Sequence, residues 1–362
     1  MEKGKIIIAG VVVGILALIL VKYGNPPNMG FCIACFLRDI AGALGLHQAA
    51  KVQYLRPEII GLVLGAFGAA LATREFKTVG GSAALTRFAL GFFAIIGFLI
   101  FLGCPLRMIL RLAGGDLNAV LGLAGLVAGI SAGVALINRG YSLGRTQRQS
   151  SIGGYIFPAL MVVLLTFALL QPAFVLASKE GPGSMHAPLV LSLVAGLVVG
   201  ILAQRSRLCM IGGIRDFILF RDHYLLTGFA AIFFTVLLGN LLIGSFSAGF
   251  TNQPIAHADG LWNFLGMALG GLASVLLGGC PLRQLVAAAE GNTDSAVTIL
   301  GMLVGAAVAH NFGLAATPQG VPAAGQITVL AGLAAVFVIG LLSRPVARAK
   351  REAAAGLDTA TR

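Results

Sequence analysis

Charged side chains are scarce in this sequence. Only 10% of its 362 residues are Asp, Glu, Lys or Arg, whereas 58% are hydrophobic, and the mean hydropathy is +0.95. A water-exposed surface cannot be built from so few polar residues, so the composition excludes a soluble globular protein. It also leaves no soluble domain that could bind nucleic acid.

Cysteine and histidine are also rare, with five of each. The Cys32-Ile-Ala-Cys35 motif stands alone. No second motif of this kind with histidines completes a zinc cage, and Phe36 excludes the haem-attachment pattern. The sequence therefore predicts no bound metal or cofactor, no catalytic residues and a protein that is not an enzyme.

Long apolar runs are what the sequence does contain. A bilayer core about 30 Å thick needs about 20 apolar residues per helix. We predict an all-α polytopic membrane protein with about ten spans in contact with lipid, the second of them short. The predicted spans are 6–21, 59–72, 88–103, 117–137, 155–177, 187–203, 225–246, 261–278, 295–312 and 327–342.

Positive charge exceeds negative charge by twelve, and the excess lies at the edges of the apolar runs. This pattern is typical of membrane topology rather than of a nucleic-acid surface. The first run is followed by Lys22 and not by a small-residue cleavage site, so we interpret it as a retained span. The charge bias predicts a multi-pass protein of the inner cell membrane with both termini in the cytoplasm.

Two short motifs occur twice in the same order. The segment Cys32–Asp39 reappears as Cys209–Asp216, with the first cysteine and an Arg-Asp pair in register. The segment Gly103-Cys-Pro-Leu-Arg107 reappears as Gly279-Cys-Pro-Leu-Arg283. The offsets are 177 and 176 residues, so the chain is a duplication.

Each half then carries five spans, and an odd number forces the second copy to enter the membrane from the opposite side. We therefore predict two inverted repeats. Residues 1–177 form the N-terminal repeat, residues 178–345 form the C-terminal repeat, and residues 346–362 form a basic cytoplasmic tail. Substrate sites in such proteins lie at the interface between repeats, where discontinuous helices end.

The second motif indicates a helix break. Gly103, and Gly278 with Gly279, suit a left-handed helix end, and a proline follows the cysteine at a position typical of a first helical turn. Cys104 and Cys280 are therefore predicted at helix N-termini, where free N–H groups favour an anion. Arg107 and Arg283 return to the same face three residues later.

The segments after Cys32 and Cys209 are too short to span, so we interpret them as re-entrant or half helices. An unpaired charge at membrane depth is costly. The two Arg-Asp pairs in these segments are therefore interpreted as structural, auxiliary ion pairs: Arg38 with Asp39, and Arg215 with Asp216.

All five cysteines belong to the repeated motifs. A thiol is a weak, soft donor that matches a polarizable sulfur or selenium atom. A helix dipole favours the thiolate and burial favours the thiol, and the sequence leaves both states open. We assign solute binding to Cys32, Cys104, Cys209, Cys280, Arg107 and Arg283. Cys35 has an auxiliary role, because its counterpart is Gly212.

At these motifs the chain resembles the YeeE/YedE family of membrane transporters for thiosulfate and related sulfur compounds. The segment 24–30 that precedes Cys32, Gly-Asn-Pro-Pro-Asn-Met-Gly, is similar to that of a YedE-like subgroup associated with selenium metabolism. The resemblance implies uptake of a thiosulfate-like solute along the four motif cysteines, and a small cytosolic sulfur-carrier protein as a partner. Cys35 and the fourth motif cysteine depart from the family pattern.

One alternative function remains open. Cys32 and Cys35 could serve a membrane-embedded thiol oxidoreductase or a sulfur or selenium transferase. Such an enzyme needs Cys35, whereas a transporter does not.

Overall fold

The computed structural model describes residues 2–343. The predicted tail 346–362 lies outside the described residues. Fourteen helices and two short strands, labelled in chain order, make up the described part. The helices are α1 Glu2–Lys22, α2 Ile33–Ala43, α3 Pro57–Ala72, α4 Ala84–Phe101, α5 Pro105–Ala113, α6 Asn118–Asn138, α7 Ser151–Leu170, α8 Leu189–Ser206, α9 Met210–Phe220, α10 Tyr224–Leu242, α11 Gly260–Leu276, α12 Pro281–Ala289, α13 Thr293–Asn311 and α14 Ala323–Leu342; the strands, β1 Val79–Gly80 and β2 Gln147–Arg148, pair antiparallel.

Nine helical segments of the described chain are long and apolar enough to cross a membrane. Together with the near absence of strands in the described residues, they confirm the predicted all-α polytopic membrane fold. The second predicted span corresponds to α3, a shorter apolar helix of 16 residues. The fifth predicted span, 155–177, extends too far, because α7 ends at Leu170. Gln171 adopts a left-handed conformation there, and Pro172 follows.

The predicted helix breaks are present in both halves. Cys104 is the N-cap of α5 and Cys280 is the N-cap of α12, and a proline opens each helix. In the second copy Gly278 takes the left-handed conformation, with φ of 83°. In the first copy Leu102 takes it, with φ of 60°, so the prediction for Gly103 is wrong. A larger residue at position 103 is disfavoured for another reason, since its Cβ would lie 2.9 Å from the Arg107 side chain.

Helices of the two halves pack against each other in corresponding pairs. The pair α1 with α10 matches the pair α8 with α3, because α1 corresponds to α8 and α10 to α3 in the repeat. In the same way, α4 with α13 matches α11 with α6. Glycines face the partner backbone at these crossings, as Gly61 faces Leu193 and Gly125 faces Phe264. Small residues allow the close approach that drives helix association in lipid.

The two long broken helices, α4 and α11, run antiparallel. A Cβ at Gly97 would lie 2.7 Å from the backbone nitrogen of Gly270, and one at Gly266 would lie 2.9 Å from the Ile100 side chain. Later residues of α4 therefore contact earlier residues of α11, as in an antiparallel pair. As a result, the breaks at Cys104 and Cys280 lie toward opposite ends of this helix pair.

Candidate functional site: two thiol pairs at helix breaks

The first pair of thiols belongs to Cys32 and Cys104, which lie within interaction distance of each other. Cys32 is the N-cap of α2, and its Sγ accepts a hydrogen bond from the backbone N–H of Cys35 at 3.4 Å. Cys104 caps α5, and both residues are at most 1% exposed. We call Cys32, Cys104 and Arg107 the N-site.

Two helix N-termini converge at the N-site. The Cys104 thiol lies close to the backbone N–H groups of Ala34 in α2 and Arg107 in α5. Each helix presents free N–H groups and the positive end of its dipole toward the same point. The arrangement therefore favours a small anion beside the two thiols.

Arg107 is fully buried, and its guanidinium donates hydrogen bonds to backbone carbonyl groups. Its Nη1 donates to Leu102 O, its Nε donates to Asn28 O at 3.4 Å, and its Nη2 donates to Ile255 O at 3.1 Å and to Pro254 O at 3.4 Å. No ion pair with a carboxylate is found for it among the described residues. The N-site therefore keeps a positive charge that an anion can neutralise.

A cavity of about 220 Å³ lies beside the N-site. Its wall includes Asn28 and Pro254, whose carbonyls accept from Arg107, and Gly30, two residues before Cys32. Helices α1, α5 and α10 and the loop between α10 and α11 supply the rest of the wall. The cavity thus offers room for a small solute within a few residues of the N-site.

The second pair of thiols belongs to Cys209 and Cys280, which also lie within interaction distance of each other. Cys209 is the N-cap of α9 and accepts from the Gly212 N–H at 3.2 Å. The Cys280 thiol lies close to the N–H groups of Met210 and Arg283. We call Cys209, Cys280 and Arg283 the C-site. Its backbone geometry repeats that of the N-site.

Arg283 differs from Arg107 in its partner. It donates to Glu290 Oε2 at 3.0 Å, and Arg207 donates to Glu290 Oε1 at 2.5 Å. Arg207 also reaches Glu75, which follows α3 in the first half of the chain, at 2.7 Å. The sequence pattern predicts that Arg283 binds the solute. In the structure, the Arg283 guanidinium forms an ion pair with the Glu290 carboxylate.

The two Arg-Asp pairs form as predicted. Arg38 contacts Asp39 at 2.7 Å, and Arg215 contacts Asp216 at 2.8 Å. The first pair is at most 3% exposed, and Arg56 adds a second ion pair to Asp39 at 2.7 Å. The second pair is 28% and 22% exposed, and no third partner is found for it in the described part. The first aspartate thus lies inside a buried cluster, whereas the second lies near the surface.

Cys35 lies beside the N-site. Its thiol is fully buried, 3.8 Å from Arg107 Nη1 and 3.9 Å from Leu102 O. Across residues 2–343, no group of three or more histidine, cysteine and acidic side chains is arranged to hold a metal ion.

Comparison with known proteins gives two matches. A family described as sulphur transport matches residues 205–358, which include the C-site. The thiosulfate transporter TsuA of Spirochaeta thermophila is 33% identical over 104 residues. The C-terminal part of the chain, residues 205–358, is therefore similar to the sulphur-transport family. The aligned segment covers 28% of this chain and 31% of TsuA, so the chain matches about a third of that relative's length.

Several partners of the two sites and of the Arg38–Asp39 pair escape prediction from sequence. Arg56, Glu290 and the carbonyls of Pro254 and Ile255 lie outside the repeated motifs. Pro254 and Ile255 are 147 and 148 residues from the arginine they bind. A local sequence motif carries no signal for such long-range contacts. A buried charge does require some acceptor, but the sequence alone does not name it.

Proposed function

We propose that this protein carries a small sulfur-containing anion, thiosulfate or a solute of similar chemistry, across the membrane by way of the N-site and the C-site. One observation carries the proposal: two thiol pairs, each at converging helix N-termini, lie toward opposite ends of the antiparallel α4–α11 pair. The family match and the relative named as a thiosulfate transporter support the solute class.

The sites suit such a solute in two ways. Backbone N–H groups at the helix ends stabilise the oxyanion. The S–H groups of the cysteines donate weakly to the polarizable terminal sulfur. Each contact replaces part of the hydration shell, and each remains weak enough for release, as conduction requires. The positive charge of Arg107 raises the local concentration of anions at the N-site.

The direction of passage follows from the arrangement that we propose for the repeats. The halves are inverted, the N-site faces outward and the C-site faces the cytoplasm, with both termini cytoplasmic in the inner membrane. The antiparallel α4 and α11 and the matched helix pairs support the inversion. The charge bias of the loops supports the orientation.

The cysteine-rich motifs leave two candidate solutes. Thiosulfate has the support of the relative. A selenium compound such as selenite is supported by the resemblance of segment 24–30 to the selenium-associated subgroup. On the cytoplasmic side we propose that a small sulfur-carrier protein receives the solute.

Uptake into proteoliposomes tests this function. Purified protein is compared with a Cys104→Ala, Cys280→Ala variant, using labelled thiosulfate and labelled selenite. We expect uptake by the intact protein and loss of at least 90% of it in the variant, because each lost thiol removes a donor worth about 1 kcal/mol. The solute with the higher rate is the preferred one.

A Cys35→Ala variant is the matched control. It removes a buried thiol from the same region and leaves all four thiols of the two pairs in place, so we expect transport to survive. Two results would favour the thiol oxidoreductase over transport. In one, folded protein takes up neither solute. In the other, Cys35→Ala abolishes an activity that survives in the Cys104→Ala, Cys280→Ala variant.

A further inference from the structure

Cys35 is the thiol that the repeat does not explain. The other four cysteines form two equivalent pairs, whereas the position equivalent to Cys35 is Gly212. Cys35 caps no helix, and transport as proposed above makes no use of it. Yet it lies fully buried at the third residue of α2, next to a cysteine of the N-site.

Cys35 and Cys32 are placed for a disulfide bond. Cys32 is the N-cap of α2, the Cys35 N–H donates to its Sγ at 3.4 Å, and the two side chains interact. The second repeat shows the same proximity, because a Cβ at Gly212 would lie 3.3 Å from Cys209 Sγ. A Cys-x-x-Cys pair that begins at a helix N-terminus is the usual arrangement for thiol–disulfide exchange.

Access to this pair is restricted to small solutes. Both cysteines are fully buried, and the cavity of about 220 Å³ ends at residues that bind Arg107. The Arg107 guanidinium lies 3.8 Å from Cys35 Sγ. A large oxidant is therefore excluded by size, whereas a small anionic oxidant is attracted by charge.

We infer that Cys32 and Cys35 form a reversible dithiol–disulfide site for small anionic oxidants that contain a sulfur–sulfur bond, such as polythionates, and that its oxidation stops transport. The inference rests on the proposed function, because it assigns the effect to loss of the Cys32 thiol from the N-site. The C-site, with Gly212, has no such switch.

The chemistry balances with tetrathionate as the oxidant. One cysteine loses its proton and attacks the central sulfur–sulfur bond, which releases one thiosulfate and leaves a sulfur–sulfur adduct on the protein. The second cysteine loses its proton and attacks the protein sulfur of that adduct, which releases the second thiosulfate. Two thiols are oxidised to one disulfide, tetrathionate is reduced to two thiosulfates, and two protons are released. An external dithiol such as dithiothreitol reverses the change.

The disulfide removes one S–H donor from the N-site. Cys32 Sγ is then bonded to Cys35 Sγ, so it can neither donate to a solute nor face Cys104 as before. The pair of thiols at the N-site becomes a single thiol. We expect uptake to fall about fivefold, as for the loss of one S–H donor.

The test uses the full chain in proteoliposomes, treated with tetrathionate and then washed. Uptake of labelled thiosulfate is measured before treatment, after treatment and after dithiothreitol. We expect loss of uptake in the unmodified protein and its recovery on reduction. The Cys35→Gly variant, which reproduces the second repeat at this position, should transport normally and resist tetrathionate.

A mass measurement reads the bond independently of transport. Trypsin cleaves after Lys22 and Arg38, so Cys32 and Cys35 lie in one peptide, whereas Cys104 lies in another. We expect the 23–38 peptide to lose two hydrogens on oxidation and to escape alkylation. The peptide mass reports the Cys32–Cys35 disulfide even if the labelled solute is not transported. It therefore distinguishes failure of the proposed switch from failure of the proposed transport function.

Four results would overturn the inference. One is a disulfide that joins the 23–38 peptide to the Cys104 peptide. Another is an unmodified 23–38 peptide after tetrathionate. The third is an oxidised peptide in protein whose uptake is unchanged. The fourth is equal inhibition of the Cys35→Gly variant.

Discussion

The N-site and the C-site share a backbone and differ in their electrostatics. Each has two cysteines at the starts of two short helices and an arginine three residues after the second cysteine. Arg107 is fully buried and bound to carbonyls, whereas Arg283 is 24% exposed and paired with Glu290. The two sites thus share the geometry of their helix ends but differ in their charge balance. The N-site can attract an anion directly, whereas Arg283 of the C-site must first release the Glu290 carboxylate to hold one.

The largest expected difference between the halves concerns stability. Asp39→Asn removes the carboxylate that two buried arginines share, so the free energy of unfolding should fall by about 3–5 kcal/mol. Asp216→Asn breaks a partly exposed pair and should cost about 1 kcal/mol or less. Denaturation of both variants in detergent measures the difference. Equal losses would contradict the contrast between a buried cluster and a surface pair.

The next difference concerns uptake. Arg107→Gln removes the charge of the N-site and should lower uptake of thiosulfate about 100-fold, since hydrogen bonds to charged groups are worth up to about 3 kcal/mol. Arg283→Gln should lower it less than tenfold, because Glu290 already neutralises that charge. Initial rates in proteoliposomes measure both. Arg107→Lys, which keeps the charge, controls for loss of packing, and an equal effect of the two glutamine variants would rule out the proposed asymmetry.

The smallest effect sharpens the comparison. Glu290→Gln frees Arg283, whereas Arg207 keeps its ion pair with Glu75. Thiosulfate on the C-site side should then be held more tightly and inhibit uptake at roughly a threefold lower concentration, as expected for partly exposed ion pairs. Uptake into vesicles preloaded with increasing thiosulfate measures this concentration. Glu180→Gln, which removes a carboxylate from an exposed pair with Lys51, should leave it unchanged. A lack of any difference between these variants means that Glu290 does not compete with the solute.

Much of the fold could be predicted from sequence because it depends on local patterns. Apolar runs of sufficient length define the spans, and Gly-Cys-Pro defines the breaks at Cys104 and Cys280. The apolar pattern predicts the end of α7 too late, because residues 171–177 are still largely apolar. The left-handed Gln171 ends the helix there, and hydropathy carries no such conformational information.

The candidate site could be predicted only in part. The pairing of Arg38 with Asp39 follows from the cost of an isolated charge in lipid. The third member, Arg56, follows from nothing local, since it reaches Asp39 from the start of α3. Glu290 shows the same limit. It is the C-cap of α12, and its carboxylate turns back to Arg283 only because of how that helix ends.

The carbonyls that hold Arg107 have a consequence for biosynthesis. Ile255 and Pro254 follow Arg107 by 148 and 147 residues, so they leave the ribosome roughly 7 to 30 s later at about 5–20 residues per second. During that interval the guanidinium lacks two of its acceptors, and water or lipid headgroups must serve in their place. The N-site is therefore completed only after nearly half of the predicted second repeat has been translated, and a ribosome that stalls before Pro254 leaves an arginine without its final partners.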